Sequence, residues 1–160
     1  MASNEHIAVA RGFNVPVSRK FSLEVARFIR GRDLKVAKRL LQGVMTTKVA
    51  VPFTKYHMDL GHKRGPMAQG RYPIKVAEEM LKLVNSAEMN AANKGLDVDA
   101  LYVSNVITGK GNGGQRGGRH GGRQTKRTHI EVQLEGREKR KAPKKEAQPK
   151  KEVKKKGESK

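Results

Sequence analysis

The run from Gly109 to Gly114 matches the pattern GxGxxG, which occurs in loops that bind the pyrophosphate of dinucleotides. Binding of that kind requires a helix directly after the loop, because the helix N-terminus holds the pyrophosphate. The residues that follow this run predict another strand and no helix. We therefore interpret the run as part of a flexible glycine hairpin. A nucleotide-dependent enzyme is a hypothesis that rests on this run alone.

No other arrangement of reactive side chains predicts an enzyme or a metal site. The five histidines, at positions 6, 57, 62, 120 and 129, form no HExxH motif and show no metal-ligand spacing beside carboxylates. Serines and aspartates form no pair of nucleophile and base. The chain has no cysteine, which leaves the cytosol as the expected compartment. The sequence thus predicts no catalytic residue, no metal and no cofactor.

The charge balance indicates a polyanionic partner. Lys and Arg number 35 against 15 Asp and Glu, which gives a formal net charge of +20. Nucleic acid fits this excess best, since each neutralised phosphate releases counterions. An anionic membrane fits less well, and no apolar run approaches the ~20 residues of a bilayer span. Aromatic residues make up only 4% of the chain, so a platform that stacks bases is not expected.

Two basic segments are the predicted phosphate contacts. The insert 108–127 holds eight glycines and six basic residues, with no acidic or large apolar side chain, so it cannot pack onto a core. The segment 52–71 is rich in Gly and Pro and has no regular period, which predicts a loop. The predicted contacts are Lys110, Arg116, Arg119, Arg123, Lys126 and Arg127 in the insert, and His62, Lys63, Arg64, Arg71 and Lys75 in or beside the loop.

Apolar residues at helical spacing predict three helices that position these segments. The first runs from an N-cap at Ser18 to about Arg30, the second follows a cap at Asp33, and the third runs from about Pro73 to Lys94. Gly31 and Gly95 are predicted to end the first and third helices. The apolar faces consist of Phe21, Val25, Phe28 and Ile29; Leu34, Ala37, Leu40, Leu41 and Val44; and Ala77, Met80, Leu81, Val84, Ala87 and Ala91.

Extended segments are predicted before the helices and on both sides of the insert. The first covers His6 to Val15. Before the insert, Leu101, Val103 and Ile107 are expected to face the same way. After it, apolar residues alternate with polar ones, and the apolar set is Ile130, Val132 and Leu134.

Composition divides the chain into a body, 1–136, and a tail, 137–160. The body has 23 basic and 11 acidic residues, a net charge of +12, and the tail has 12 and 4, a net charge of +8. The tail has too few apolar side chains to offset the entropy of ordering it, so we predict that it is disordered. The body is the predicted RNA-binding domain.

Six short motifs, in order from about Ser18 to Glu135, resemble one family. They are Val51-Pro-Phe53, Gly61-His-Lys-Arg-Gly65, Gly70-Arg-Tyr-Pro73, Ala87-Glu-Met-Asn-Ala91, Lys94-Gly-Leu-Asp97 and Thr128-His-Ile-Glu131. Together they resemble the family of large-subunit ribosomal protein number 22, which is number 17 in eukaryotic counting. The form is the archaeal or eukaryotic one.

The resemblance implies an α+β fold, with three helices packed on a small antiparallel sheet and a long extended hairpin at about residues 100–135. It implies a non-enzymatic, structural component of the cytoplasmic large ribosomal subunit that binds large-subunit rRNA and aids assembly. The hairpin is expected to line the polypeptide exit tunnel. The implied partners therefore include neighbouring ribosomal proteins, number 4 among them, and the nascent polypeptide, but no membrane.

The tip of the hairpin departs from the family pattern. Members carry Pro-Arg-Ala-x-Gly-Arg-Ala where this chain has Gly118-Arg-His-Gly-Gly-Arg-Gln124. Arg119, Gly122 and Arg123 match, so the phosphate roles implied for the two arginines are retained, but the shape of the tip is not carried over. A free RNA-binding protein of the RGG type is a second hypothesis, favoured by Arg116-Gly-Gly-Arg119 and the lysine-rich tail.

Overall fold

Three strands form an antiparallel sheet in which the last strand of the chain lies in the middle. The structure is a computed structural model that describes residues 6–119 and 121–136. The elements in chain order are β1 (Ile7–Val15), α1 (Arg19–Ile29), α2 (Leu34–Met45), β2 (Val51–Pro52), β3 (Gly70–Arg71), α3 (Ile74–Asn93), β4 (Leu101–Lys110) and β5 (Thr128–Gly136). Strand β5 pairs with β1 on one side and with β4 on the other.

The helices begin and end close to the predicted positions. Helices α1 and α2 start directly after Ser18 and Asp33, and α3 starts after Pro73. Gly31 and Gly95, which follow α1 and α3, have φ angles of +73° and +74°. Glycine adopts this left-handed conformation without the steric cost that a Cβ atom would add, so both residues are suited to end a helix.

One core joins the helices to the sheet. Helix α3 contacts β1 and β5, α1 contacts β4, and α2 packs beside α3. Strand β5 alternates buried Ile130, Val132 and Leu134 with half-buried polar residues, as predicted. Each fully buried Leu or Ile side chain stabilises the fold by about 1.5–3 kcal/mol relative to its exposed state. The predicted α+β class, with three helices and a small antiparallel sheet, is confirmed.

The expectation that Ile107 faces the same way as Leu101 and Val103 is wrong. The pairing of β4 with β5 has a register shift between Val103 and Asn105. Beyond the shift Val106 is 2% exposed, whereas Ile107 is 48% exposed. An extra residue of this kind reverses the faces that follow it, and strict alternation in a sequence does not reveal it.

The prediction that the whole segment 52–71 is a loop is wrong at its two ends, which are paired. Val51 pairs with Arg71 and Pro52 with Gly70, so the short strands β2 and β3 close its two ends. Strands of two residues are too short to show a period in the sequence. Residues 53–69, which these strands enclose, are called the basic loop below. The predicted disordered tail, 137–160, lies outside the described residues.

Candidate nucleic-acid interface

Residues 111–127, called the arm below, connect β4 to β5 and continue their antiparallel pairing in part. The N–H of Gly111 donates to the carbonyl of Arg127, that of Thr125 to Gly114 and that of Arg116 to Arg123, each at 2.9 Å. Beyond the last of these bonds the chain turns. The glycine run that matched GxGxxG therefore spans the end of β4 and the start of the arm, and no helix follows it in the described residues.

Two arm glycines are required because the two backbones come very close together. A Cβ atom on Gly113 would lie 2.2 Å from the carbonyl oxygen of Thr125. On Gly111 it would lie 2.7 Å from Oδ1 of Asn14 and 2.9 Å from Cβ of Arg127. No side chain fits at such distances, so these two glycines allow the backbone of the arm to come this close to its neighbours.

The predicted arm residues differ in how free their charges are. Lys110, Arg116, Arg119, Arg123 and Lys126 are exposed, whereas Arg127 is half-buried and its Nη1 donates to the carbonyl of Asn14 at 3.1 Å. A groove of about 740 Å³ runs along one side of the arm. This arm groove is lined by Pro16, Arg116, Arg123, Gln124, Thr125, Lys126 and Arg127.

A second groove, of about 490 Å³, lies between the arm and the start of α1. We call it the neck cleft; it is lined by Ser18, Arg19, Lys20, Tyr56, Lys110, Gly111, Gly113, Gln124, Thr125, Lys126 and Arg127. Helix α1 has no acidic residue in its first turn, and the positive end of its dipole adds to the charge of the cleft. Such a cleft attracts an anion such as a phosphate.

Arg19 and Lys20 were not among the predicted contacts, although the sequence held a signal for them. The first turn of a helix usually favours acidic residues, because they complement the helix dipole. Two basic residues directly after the N-cap Ser18 therefore oppose the dipole, which indicates a partner anion from outside the helix.

A third groove joins Lys75 to the arm, whereas Arg71 does not line it. It has a volume of about 450 Å³, and Phe21, Tyr72, Lys75 and Lys126 are among its lining residues. The guanidinium of Arg71 lies 5.7 Å from the ring centre of Phe21, which is one of the lining residues of this groove. We call it the lysine groove. It joins a predicted residue next to the basic loop to a predicted residue of the arm.

The other predicted residues of the basic loop lie apart from these grooves. His62, Lys63 and Arg64 are exposed, and none of them lines the arm groove, the neck cleft or the lysine groove. The backbone N–H of Lys63 donates to the carbonyl of Ala68 at 2.9 Å, and its ammonium lies 5.3 Å from the ring centre of Tyr72. These side chains face solvent on a short turn of their own.

Carboxylates are absent from the lining of the three grooves, and two carboxylates of β5 are hydrogen-bonded on the sheet instead. Glu131 accepts from Arg11 at 2.9 Å on β1 and β5, and Glu135 accepts from Tyr102 and Ser104 at 2.7 Å. Hydrogen bonds from Gln133 and Arg11 lower the pKa of Glu131. Negative charge is thus kept away from the grooves, which leaves their positive charge free to bind phosphate.

Among the described residues, no group of three histidines or carboxylates is placed to hold a metal ion. In the same part of the chain no helix is both long and apolar enough to cross a bilayer. The fold and the grooves define a class of protein: a small, basic α+β domain with a paired glycine-rich arm and acid-free grooves suited to a polyphosphate backbone.

Comparison with known sequences agrees with that class. The sequence model of the family described as ribosomal protein L22p/L17e matches residues 10–135. The large ribosomal subunit protein uL22 of Methanococcoides burtonii is 42% identical over 107 residues, which cover 67% of this chain and 71% of that protein. The uL22 protein of Ignicoccus hospitalis is 39% identical over 141 residues, covering 82% and 89%.

The chain therefore belongs to the ribosomal protein L22p/L17e family, and the predicted resemblance is confirmed. Members are non-enzymatic, structural proteins of the large ribosomal subunit, which is cytoplasmic, so the hypothesis of a nucleotide-dependent enzyme is rejected. The individual phosphate contacts named above stay predictions.

Proposed function

We propose that this chain binds large-subunit rRNA through the arm groove, the neck cleft and the lysine groove, which act as one surface. The observation that carries the proposal is that Lys126 lines all three grooves, while no acidic side chain lines any of them. A continuous positive surface of this kind neutralises several phosphates at once, and each neutralised phosphate releases counterions. The shape formed where the grooves meet would then determine how the chain is positioned on the rRNA.

The arm is the part of the chain whose order depends most on rRNA binding. Within 111–127 it has no large apolar side chain, and the backbone bonds at Gly111, Arg116 and Thr125 are its main internal support. A lone two-stranded hairpin is marginally stable in water. We therefore infer that packing against rRNA orders the arm during assembly of the large subunit.

The position of the arm in the particle belongs to the same proposal. An arm with little side-chain bulk and exposed arginines fits a narrow passage with walls of RNA. We propose that it lines the polypeptide exit tunnel, opposite a loop of ribosomal protein number 4 and within reach of the nascent polypeptide. The tip residue Arg119, which is exposed, would take part in these contacts.

Binding of large-subunit rRNA from the same organism, measured across a salt series, tests the proposal. Arg116→Ala with Arg123→Ala removes two charges from the arm groove, and we expect the slope of log affinity against log salt to fall by about 1.5. The matched control is Arg39→Ala with Lys48→Ala, which removes two exposed charges that line none of the grooves. Equal losses in the two variants would reject a defined surface.

The same experiment separates this proposal from a free RGG-type RNA-binding protein. A scaffold protein should prefer large-subunit rRNA over an unrelated transcript of equal length, and it should stay with the subunit through a high-salt wash. Indifference to the RNA, with release at modest salt, would favour the RGG alternative. The backbone pairing of Arg116 with Arg123 supports an ordered arm and therefore the scaffold.

A further inference from the structure

A buried carboxylate in α1 is bonded to the start of the basic loop. Glu24 is 1% exposed. Its Oε1 accepts from the backbone N–H groups of Lys55 at 2.8 Å and Tyr56 at 2.9 Å, and its Oε2 accepts from the N–H of Thr54 at 3.3 Å. We call residues 54–56 the anchored segment, because three successive N–H groups converge on one carboxylate. A charge buried this deeply needs such donors.

The anchor is held in its ionised form. Burial pushes the pKa of Glu24 upward, but the hydrogen bonds from the backbone of Tyr56, Lys55 and Thr54, together with the charge of Arg27, outweigh burial and leave this pKa below its ordinary value. Arg27 also donates from Nη1 to Oγ1 of Thr54 at 2.8 Å. Two side chains of helix α1, those of Glu24 and Arg27, are therefore hydrogen-bonded to the anchored segment.

The anchored segment forms the walls of two grooves. Tyr56 lines the neck cleft, where its ring centre lies 5.5 Å from the ammonium of Lys20. Lys55 lines a groove of about 380 Å³ beside Arg27 and Arg30, between α1 and β4. We call this the helix groove, and no acidic residue lines it. One carboxylate thus fixes the backbone that places cationic and aromatic groups at both grooves.

We propose that Glu24 is a positioning residue for rRNA binding, and that the helix groove is a further part of the rRNA surface through Lys55. The proposal rests on the proposed function above. Glu24 touches no rRNA itself, because it is buried; it acts by holding the anchored segment. Without the carboxylate, three N–H groups face no acceptor, so the segment leaves α1 and its side chains no longer line the grooves.

Glu24→Gln is the sharpest test, because the amide has nearly the same shape. One of the two accepting oxygens becomes an NH2 group, which cannot accept, and the remaining neutral amide oxygen is a weaker acceptor than a carboxylate, so exchange of the amide protons of residues 54–56 should accelerate at least about tenfold. Affinity for large-subunit rRNA should fall about three- to tenfold, the loss of one or two phosphate contacts. The substitution makes the chain more positive, which by long-range attraction alone would strengthen binding, so the sign of the change separates positioning from net charge.

Glu88→Gln is the matched control. Glu88 is half-buried and pairs with Lys38 between α3 and α2, and neither residue lines any of the four grooves. This variant makes the same change of charge and loses an ion pair away from the grooves, so its affinity for rRNA should stay equal to that of the wild type or rise slightly. A loss equal to that of Glu24→Gln would overturn the positioning role.

Two further measurements decide the matter if Glu24→Gln does not fold. In the wild type, the amide protons of residues 54–56 should exchange far more slowly than those of Arg64, Gly65 and Met67, and equal rates would overturn the anchor. Lys55→Ala with Tyr56→Ala should weaken rRNA binding while folding is retained, and unchanged binding would overturn the role of the segment. If the wild type itself does not bind rRNA, the proposed function fails; if only the Glu24 and Lys55 variants bind normally, this inference fails alone.

Discussion

The basic loop and the arm are both glycine-containing basic connections, but they are held in opposite ways. The loop is closed by β2 and β3, and its first residues are bonded to the buried Glu24. The arm has backbone bonds between its own two halves, with one side-chain bond from Arg127 to Asn14 near its base. Loop order is thus coupled to the core, whereas arm order depends on the arm itself and on its partner.

This difference indicates how a basic segment can become specific for one arrangement of phosphates. A cationic side chain on a flexible segment binds any polyanion, whereas one on a fixed backbone selects the geometry of the phosphates it meets. The loop is ordered before binding, because the fold supplies its anchor. On the proposed function, the arm gains most of its order upon binding, so we expect it to contribute less affinity per contact. Breaking each region should therefore have different consequences for stability and for binding.

The largest expected effect is on stability, from Glu24→Ala. The substitution leaves the N–H groups of residues 54–56 without their buried acceptor, and we expect the free energy of unfolding to fall by about 3 kcal/mol. Urea denaturation measures it. Glu131→Ala, which removes a more accessible carboxylate bonded to Arg11, should cost less than about 1 kcal/mol. Similar losses in both variants would show that the loop is not coupled to the core as we describe.

Gly113→Val should break the arm without affecting the body. The new side chain would collide with the carbonyl of Thr125, so affinity for rRNA should fall about tenfold, or roughly 1.4 kcal/mol, while the urea midpoint stays unchanged. Gly114→Val is the control, because a Cβ atom at Gly114 has no neighbour within 4 Å. If Gly113→Val lowers the urea midpoint as far as Glu24→Ala does, the arm and the loop do not differ in their coupling to the core.

As the pH falls, the basic loop should lose its order before the arm does. The folded-state pKa of Glu24 is below its ordinary value, so its contribution is complete above the pKa of the unfolded chain and is lost as pH falls through the lowered folded pKa. The wild type should lose stability below about pH 4.5, the ordinary range of a glutamate. Glu24→Gln should lose less over that range. Glu131→Gln serves as control, because it removes a carboxylate whose pKa is lowered as well but which is bonded to Arg11 and not to the basic loop. Parallel curves for the wild type and Glu24→Gln would count against the anchor.

The smallest effect should come from Thr54→Val, which removes one exposed hydroxyl from the anchored segment and keeps the three N–H bonds. We expect a loss of about 0.5 kcal/mol in unfolding free energy, because the hydroxyl accepts from Arg27 at 2.8 Å and donates only a long hydrogen bond to Oε2 of Glu24, at 3.4 Å. Thr46→Val, whose hydroxyl bonds only to carbonyls of the preceding helix, provides the baseline. A loss as large as that of Glu24→Ala would assign the anchor to the hydroxyl group instead of the carboxylate.

The helices and their ends follow from the sequence because the signals are local. Apolar spacing and the caps Ser18 and Asp33 report on four or five neighbouring residues, and so do the glycine stops Gly31 and Gly95. The orientation of Ile107 depends on a register shift against β5, which is distant in sequence. Strands β2 and β3 exist only because each pairs with the other, so neither has a pattern of its own.

The residues that line the basic grooves could be identified in part from the sequence, while their phosphate contacts stay predictions. Composition indicated the insert 108–127, and five of its six basic residues line the arm groove or the neck cleft, the exception being Arg119 at the tip. Lys55 and Tyr56 were missed because the fold, not the local sequence, brings them to α1. Glu24 had a weak signal: it stands between Phe21 and Phe28 at helical spacing, on the face that is otherwise apolar. A carboxylate there predicts a buried partner but does not identify it.

Lys126 has a consequence for the architecture of the RNA that this surface accepts. It stands where the arm groove, the neck cleft and the lysine groove adjoin. A single strand passing one point enters by one channel and leaves by another, so it fills two channels and leaves the third empty. Occupying all three requires a second strand to arrive at the same ammonium. If the chain binds rRNA through these grooves as proposed, we expect it to prefer a site where two RNA strands meet, with Lys126 between them.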